Sequence, residues 1–304
     1  MSEKRIEVGS HTVELSSTEK VMFPDDGITK GDVIDYYERM AETMLPYMTA
    51  RPVTMHRFPN GVDAGGFYQK EAPNYFPDWI ERVLIDVEGE EQQQEQITCE
   101  NAATLVYLAN QGCITPHIWL SRVDKLNHPD RLIFDLDPSA DNFKLVWQAA
   151  HDLRAILEEV NLASYLMTTG SRGLHVVVPL DRSADFDTVR TFAHDLASVL
   201  AARHPERLTT EQRKAKRRGR LFLDYLRNAY AQNSVAPYSL RAKPGAPVAT
   251  PIEWGELSDS KLDSRRYNLQ NIFRRLGQMP DPWQEIDSHA YSLDEPRRLL
   301  QELS

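Results

Sequence analysis

At 304 residues, with 41% hydrophobic and 26% charged side chains, the chain has an ordinary globular make-up and can bury one large core or two coupled lobes. No run approaches the roughly 20 apolar residues that span a bilayer, and the N-terminus MSEKRIEVGS lacks a secretory apolar core, which excludes a helical membrane protein. Two cysteines, Cys99 and Cys113, exclude a disulfide framework and a Cys-rich zinc site, and both read as small hydrophobes in a reducing compartment.

Thr29, with Asp32 three residues later, reads as a helix start. Val33, Ile34, Tyr37, Met40, Ala41, Met44 and Leu45 keep a helical period until Pro46 and Arg51-Pro52 end it. A strand over residues 53–57 and a Gly- and Pro-rich loop, FPNGVDAGGFYQKEAPNYFP, follow. The acidic, Gln-rich stretch 88–96 reads as a solvated loop tip. Residues 101–111 suit a short helix closed by Gly112, and 114–120 a strand. Residues 132–136 form a strand stopped by Pro138. An amphipathic helix then carries Phe143, Val146, Trp147, Ala150, Leu153, Ile156 and Leu157. Strands 164–168 and 174–180 are joined by Thr169-Gly170-Ser171-Arg172-Gly173, and a helix spans about 186–204. Six of the eight residues from Arg213 to Arg220 are basic, alone only a weak sign of nucleic-acid binding against a net charge of −10. Strands near 221–226 and 235–241, a helix over 265–276 and a polar, packed tail over 281–304 complete the reading. No internal repeat, heptad run or long linker is present, and strands interleaved with helices make this an α+β (mixed α/β) protein.

The chemistry begins with RLIFDLDPS. Asp135 and Asp137 stand two apart at the end of an apolar strand, so both carboxylates project the same way. Their repulsion and desolvation are relieved by a hard divalent ion with oxygen ligands, Mg²⁺ or Mn²⁺. A second apolar strand, RLFLDYLRN, adds Asp224, and three carboxylates on two strands suit a two-metal site for phosphoryl or nucleotidyl transfer. Taken one at a time, Asp137 reads as a turn cap before Pro138 and Asp224 as the partner of an arginine; the set favours metal. Between the two strands, TTGSRGLHVVVPL supplies a turn whose Gly170 and Gly173 leave backbone N–H groups free for phosphate oxygens, with Ser171, Arg172 and His175 as further donors. His117 reads by itself as a core histidine and Arg241 as a surface charge.

The succession FDLDPS, TTGSRGLHV, FLDYLRN and VAPYSLRAKPGAPVATPIEW resembles the polymerase domain of bacterial DNA ligase D, a primase-polymerase of non-homologous end joining. The upstream segments KVMFPDDGITKGDVIDYY, RPVTMHRFPNGVDAGGFYQK and PHIWLSR match the same family, so the resemblance runs from about Leu15 to Trp283. It implies an archaeo-eukaryotic primase-like fold, with central β-sheets flanked by helices, as one domain over 1–304 ending in a tail at 284–304. It implies nucleotide addition to DNA 3′ ends with two Mn²⁺ or Mg²⁺ ions and nucleoside triphosphates, ribonucleotides preferred. Asp135, Asp137 and Asp224 then form the metal-binding catalytic triad, and His117, Ser171, Arg172, His175 and Arg241 hold the incoming nucleotide. Lys20 and Lys30 match a pair that grips a 5′-phosphate, Phe67 an aromatic that stacks on DNA, and Arg57, Lys70 and Arg217 match contacts to the template or overhang. Gapped DNA, Ku and a DNA ligase are the implied partners, and the cytoplasmic nucleoid the implied location. No K-x-D-G ligase motif is present, which suggests a stand-alone member or an excised domain. Two other classes compete: a haloacid dehalogenase-like phosphatase built on the D-x-D motif, and a non-catalytic module that binds DNA ends.

Overall fold

The computed structural model describes residues 4–86, 93–138 and 142–303. The chain forms two compact units: Met1–Trp119 with Asn233–Ala249 and Asn268–Phe273, and Leu120–Gln232 with Thr250–Tyr267 and Arg274–Ser304.

In the first unit, Lys4–Val8 and His11–Leu15 make an antiparallel hairpin. A separate antiparallel sheet has Val53–Arg57 between Cys113–Trp119 on one edge and Phe67–Gln69 with Gln94–Ile97 on the other. Asn233–Val235 borders Cys113–Trp119, and Arg82–Ile85 borders Gln94–Ile97. The helix Lys30–Met48 starts where the sequence indicates: the Thr29 hydroxyl accepts from Asp32 N–H, and the Asp32 carboxylate accepts from Thr29 N–H. Its buried face includes Val33, Ile34, Tyr37, Met40, Ala41 and Met44, as the period requires. The helix passes through Pro46 instead of stopping there. Pro46 lies in the last turn, where its missing N–H removes one helical bond, and Tyr47 and Met48 beyond it are buried.

The second unit holds a six-stranded sheet in the order Leu208–Thr209, Leu221–Asp224, Arg131–Asp137, Leu174–Pro179, Tyr165–Thr168, Thr250–Ile252. Only the first pair is parallel. Leu132, Phe134 and Leu136 enter one core with Val146, Leu153 and Ile156 of the helix Phe143–Glu159 and Val189 and Leu196 of the helix Phe186–Arg203. Period-two alternation therefore turns Ile133, Asp135 and Asp137 to the opposite face of the sheet.

Several expectations change. Phe67–Gln69, read as loop, is a strand, because its pairing with Val53–Arg57 is a tertiary event that a three-residue run does not announce. In the expected loop tip at 88–96, residues 88–92 lie outside the described residues, whereas Gln94–Ile97 is a strand with Gln96 buried. The strand expected over 235–241 ends at Val235, since Pro237 follows and Tyr238 takes a φ of 65°. The helix expected over 265–276 begins only at Ile272. Before it, the side chains of Asp263, Asn268 and Asn271 capture the N–H groups of Arg265, Gln270 and Asn268, an arrangement that competes with helix. The polar tail carries a helix, Asp294–Glu302, with Leu300 buried in the second unit's core.

Replacing Thr29 by Ala should cost about 1 kcal/mol, the usual loss of a helix N-cap. A lower denaturant midpoint at unchanged m-value, restored by Thr29→Ser, is the expected result.

Candidate active site

A row of side chains crosses the second unit's sheet. Register sets Asp224 opposite Asp135, Asp135 opposite His175, and His175 opposite Met167. Directly opposed residues have Cα atoms roughly 4.5–5.5 Å apart, so the two carboxylates are nearest neighbours. Asp137 projects from the same face, opposite Phe222. The buried His175 places Nε2 3.5 Å from Asp135 Oδ1, and Arg227 Nε lies 3.8 Å from Asp135 Oδ2. Asp224 Oδ1 accepts the N–H of Leu226 at 2.9 Å. Burial raises the Asp224 pKa above the usual carboxylate range, and the charge of Asp135 adds to this, while Leu226 N–H, Arg227 and Arg217 oppose it. Asp137 is half-exposed and paired with the Arg172 guanidinium. Among the described residues, no three His, Cys, Asp or Glu side chains stand gathered to hold an ion.

The turn after Tyr165–Thr168 lies against this row. Gly170 takes a φ of 63°. A Cβ on Gly173 would come 2.0 Å from the Leu136 carbonyl oxygen, so the loop's return packs directly on the D-x-D strand. The expected free N–H groups are not found at two positions. Those of Ser171 and Gly173 turn inward to Thr169 Oγ1, at 3.3 and 3.2 Å, because the threonine hydroxyl offers a local acceptor inside the turn. Ser171 O accepts from Arg265 Nε at 2.7 Å. Arg217 stacks its guanidinium 4.3 Å from the Phe222 ring and donates to the carbonyls of Glu211 and Gln212. The structure thus brings Asp135, Asp137, Ser171, Arg172, His175, Arg217 and Asp224 into one unit. It adds Arg227, which the D-x-x-R spacing after Asp224 could have signalled.

The other site candidates belong to the first unit. Lys30 N–H donates to Lys20 O at 2.7 Å and Gly31 N–H to Thr18 O at 2.8 Å, while Asp32 N–H is held by Thr29. The helix's first N–H groups therefore already have partners, and a ligand there would meet the two ammonium groups instead. Lys30 is buried, with Nζ donating to Ser16 O and Oγ. Burial, with the nearby charge of Lys20, lowers its pKa to about 8. The unfolded lysine holds its proton to 10.5, so this burial costs stability below pH 8 and the cost is relieved as pH rises from about 8 toward 10.5. Lys20 Nζ donates to Pro59 O and Asn60 Oδ1.

His117 sits on the buried strand Cys113–Trp119, its Nδ1 3.2 Å from Thr115 O. Beside it, His56 stacks on Tyr68 with ring centroids 4.1 Å apart, and Tyr68 meets His117 edge-on at 5.4 Å. Burial, then the charges of Arg241 and Lys243, lower the His56 pKa to about 4, so the ring is neutral near pH 7. Arg241 and His117 thus share one neighbourhood. Arg57 donates to Gln111 O, Gln69 Oε1 and Tyr75 Oη, and Phe67 lies 5.8 Å from its guanidinium. Phe67, Tyr68, Lys70 and Tyr75 are exposed. His56, Tyr68 and Tyr75 are not singled out by the sequence, where they lie in the strand 53–57 and the Gly- and Pro-rich loop after it.

A family model described as LigD, primase-polymerase domain, matches residues 29–283. A multifunctional non-homologous end joining protein LigD of Mycolicibacterium smegmatis is 32% identical over 281 residues, 91% of this chain and 36% of that protein. The bifunctional LigD of Bacillus subtilis is 30% identical over 286 residues, 93% of this chain and 45% of that one. The chain therefore spans less than half the length of these curated relatives. Among solved structures, the polymerase domain of Mycobacterium tuberculosis ligase D in complex with DNA superposes with a TM-score of 0.85 at 30% identity, covering 92% of this chain and 99% of that one. The fold is of the archaeo-eukaryotic primase type. The chain belongs to the LigD primase-polymerase domain family, which sets aside the phosphatase reading.

Gly173→Ala should destabilise the protein by about 1–3 kcal/mol, since the methyl meets a backbone carbonyl that cannot swing aside. Gly170→Ala, strained by its positive φ, should cost about 1–2 kcal/mol. Chemical denaturation of both variants tests that ordering.

Proposed function

We propose that this chain, acting as one functional domain, is a template-dependent primase-polymerase that adds nucleotides to DNA 3′ ends during gap filling and end processing in non-homologous end joining. The observation that carries this reading is the in-register pair Asp135–Asp224 with Asp137 beside it. Two like charges on neighbouring strands are destabilising unless a cation lies between them, and an all-oxygen donor set suits Mg²⁺ or Mn²⁺. When bound, such ions supply charge neutralisation at the attacking hydroxyl and at the triphosphate.

The chain's own residues do the rest. Asp135, Asp137 and Asp224 would hold the metal. His175 fixes Asp135 from the neighbouring strand. Arg172 neutralises Asp137 in the free protein; when a triphosphate enters, the guanidinium passes to the phosphate oxygens and releases the carboxylate. In the second unit Ser171 and His175 are the nucleotide-binding residues beside Arg172, and in the first unit His117 and Arg241 carry that role by family resemblance, with ribonucleotides preferred. In the first unit the exposed Phe67 offers a ring for stacking on bases, with Arg57 and Lys70 as further DNA contacts, and in the second unit Arg217 is a DNA contact. Lys20 and Lys30 take the 5′-phosphate across the gap. Ku and a ligase are the proposed partners, at the nucleoid. The M. tuberculosis relative's complex with DNA supports a DNA substrate.

Primer extension on gapped, 5′-phosphorylated DNA with Mn²⁺ tests the reading, with ribo- and deoxynucleotides in equal supply. Extension with ribonucleotide incorporation dominant is expected. Asp224→Ala should reduce it by on the order of a hundredfold or more, as loss of an electrostatic stabiliser does, with DNA binding retained. An active Asp224→Ala protein would overturn the assignment.

The lysine pair makes a second test. A charge-assisted contact is worth about 1.5–3 kcal/mol, roughly ten- to a hundredfold in affinity for gapped DNA with over DNA without its 5′-phosphate. Because Lys30 is protonated below about pH 8, that preference should fall as pH rises through and above this value. A bound phosphate shifts the fall upward. Binding titrations between pH 7 and 10 should show this in the wild type and no preference in the Lys20→Ala, Lys30→Ala double variant.

A further inference from the structure

Asn228 is fully buried. Its side-chain Oδ1 accepts the N–H of Ile133 at 2.8 Å, and its Nδ2 donates to the carbonyl of the same residue at 2.8 Å. Nδ2 also donates to Tyr225 O at 2.9 Å, and Asn228 N–H reaches that carbonyl at 3.2 Å. One primary amide thus satisfies both backbone groups of a residue in the central strand Arg131–Asp137 and closes the turn that follows Asp224.

The register shows what this accomplishes. Asp137 faces Phe222 and Asp135 faces Asp224, so the next partner in the antiparallel series would put residue 226 opposite Ile133. The strand Leu221–Asp224 ends before that point, and Leu226 N–H turns back to the Asp224 carboxylate. Residues two apart on a strand aim N–H and C=O at the same neighbour. The groups of Ile133 therefore point toward the edge where Asp224 sits, with no main chain to meet them. Left unpaired in a buried position, they would destabilise the sheet or let the strand twist away. The amide of Asn228, which has a donor and an acceptor in a plane like those of a peptide group, takes the missing rung of the ladder.

We infer that Asn228 is a positioning residue that locks Asp224 in register with Asp135 so that the two carboxylates meet one ion. The inference rests on the metal reading of that pair. Asn228 touches neither ion nor substrate; it acts through Ile133, two residues before Asp135, and through Tyr225, next to Asp224. Phe134, fully buried between Ile133 and Asp135 on the strand, gives this rung a stiff connection to the acid.

The experiment titrates Mn²⁺ alone into the protein, following loss of the free-ion paramagnetic signal, and measures melting temperature and extension kinetics in parallel. The variants are Asn228→Ala, Asn228→Ser, Asp224→Asn and Trp147→Phe. The last removes a different, partly buried hydrogen bond, from Trp147 Nε1 to Leu257 O, in the same unit and serves as a control for lost stability. Outer-shell residues of metal sites change metal affinity or activity by about 10- to 100-fold. Asn228→Ala should weaken Mn²⁺ binding and lower kcat within that range, with KM for nucleotide and affinity for gapped DNA within about twofold. Asn228→Ser, with one hydrogen-bonding atom left, should fall between Asn228→Ala and the wild type and gives the readout if Asn228→Ala does not fold. Trp147→Phe should lose stability but keep its Mn²⁺ affinity. If Asp224→Asn leaves Mn²⁺ binding unchanged, the metal reading and this inference both fall. If Asp224→Asn abolishes binding while the Asn228 variants bind as the wild type does, or lose no more affinity than Trp147→Phe, this inference alone falls.

Discussion

Repulsion between two carboxylates set side by side on a sheet is the constraint around which the second unit is arranged. Asp135 and Asp224 are opposed in register, and neither can move without breaking a ladder of backbone hydrogen bonds. At about 5 Å and an effective dielectric near 20, two unit charges repel by roughly 3 kcal/mol. The surroundings distribute that strain. His175 and Arg227 approach Asp135, Leu226 N–H and the Arg217 charge moderate Asp224, and Arg172 engages Asp137. Burial still leaves Asp224 with a raised pKa.

The sheet makes such an arrangement possible by separating two tasks on alternate residues of the same strands. Leu132, Phe134 and Leu136 bury themselves with the two long helices, and that core supplies the stability that a row of acids on the other face consumes. The turn 169–173 then rests on the same strand at Gly173, where no side chain fits.

In the first unit the same economy appears with the opposite charge. Thr29 and Asp32 cap a helix whose first N–H groups are absorbed by the chain just before it, at Thr18 and Lys20. This contact draws the Lys20 backbone against Lys30 and brings two ammonium groups close enough for one to depress the pKa of the other. Local hydrogen bonding thus creates a cationic spot within an acidic protein, consistent with a net charge that says little about local potential.

Much was legible in the sequence because it depends on short-range pattern. The cap at Thr29, the helical periods, the D-x-D strand and the Gly-flanked turn all follow from neighbours within a few residues, where sterics and side-chain alternation act directly. Motif order also carried the family. What the tertiary structure decided is pairing: that Asp224 meets Asp135 and not Asp137, that Phe67–Gln69 is a strand, and that the Ser171 and Gly173 N–H groups turn inward. It also decided that a buried asparagine completes a strand's ladder. Register between distant segments is set by which groups remain unpaired once every local choice is made. That total is a property of the folded sheet, and no window of sequence contains it.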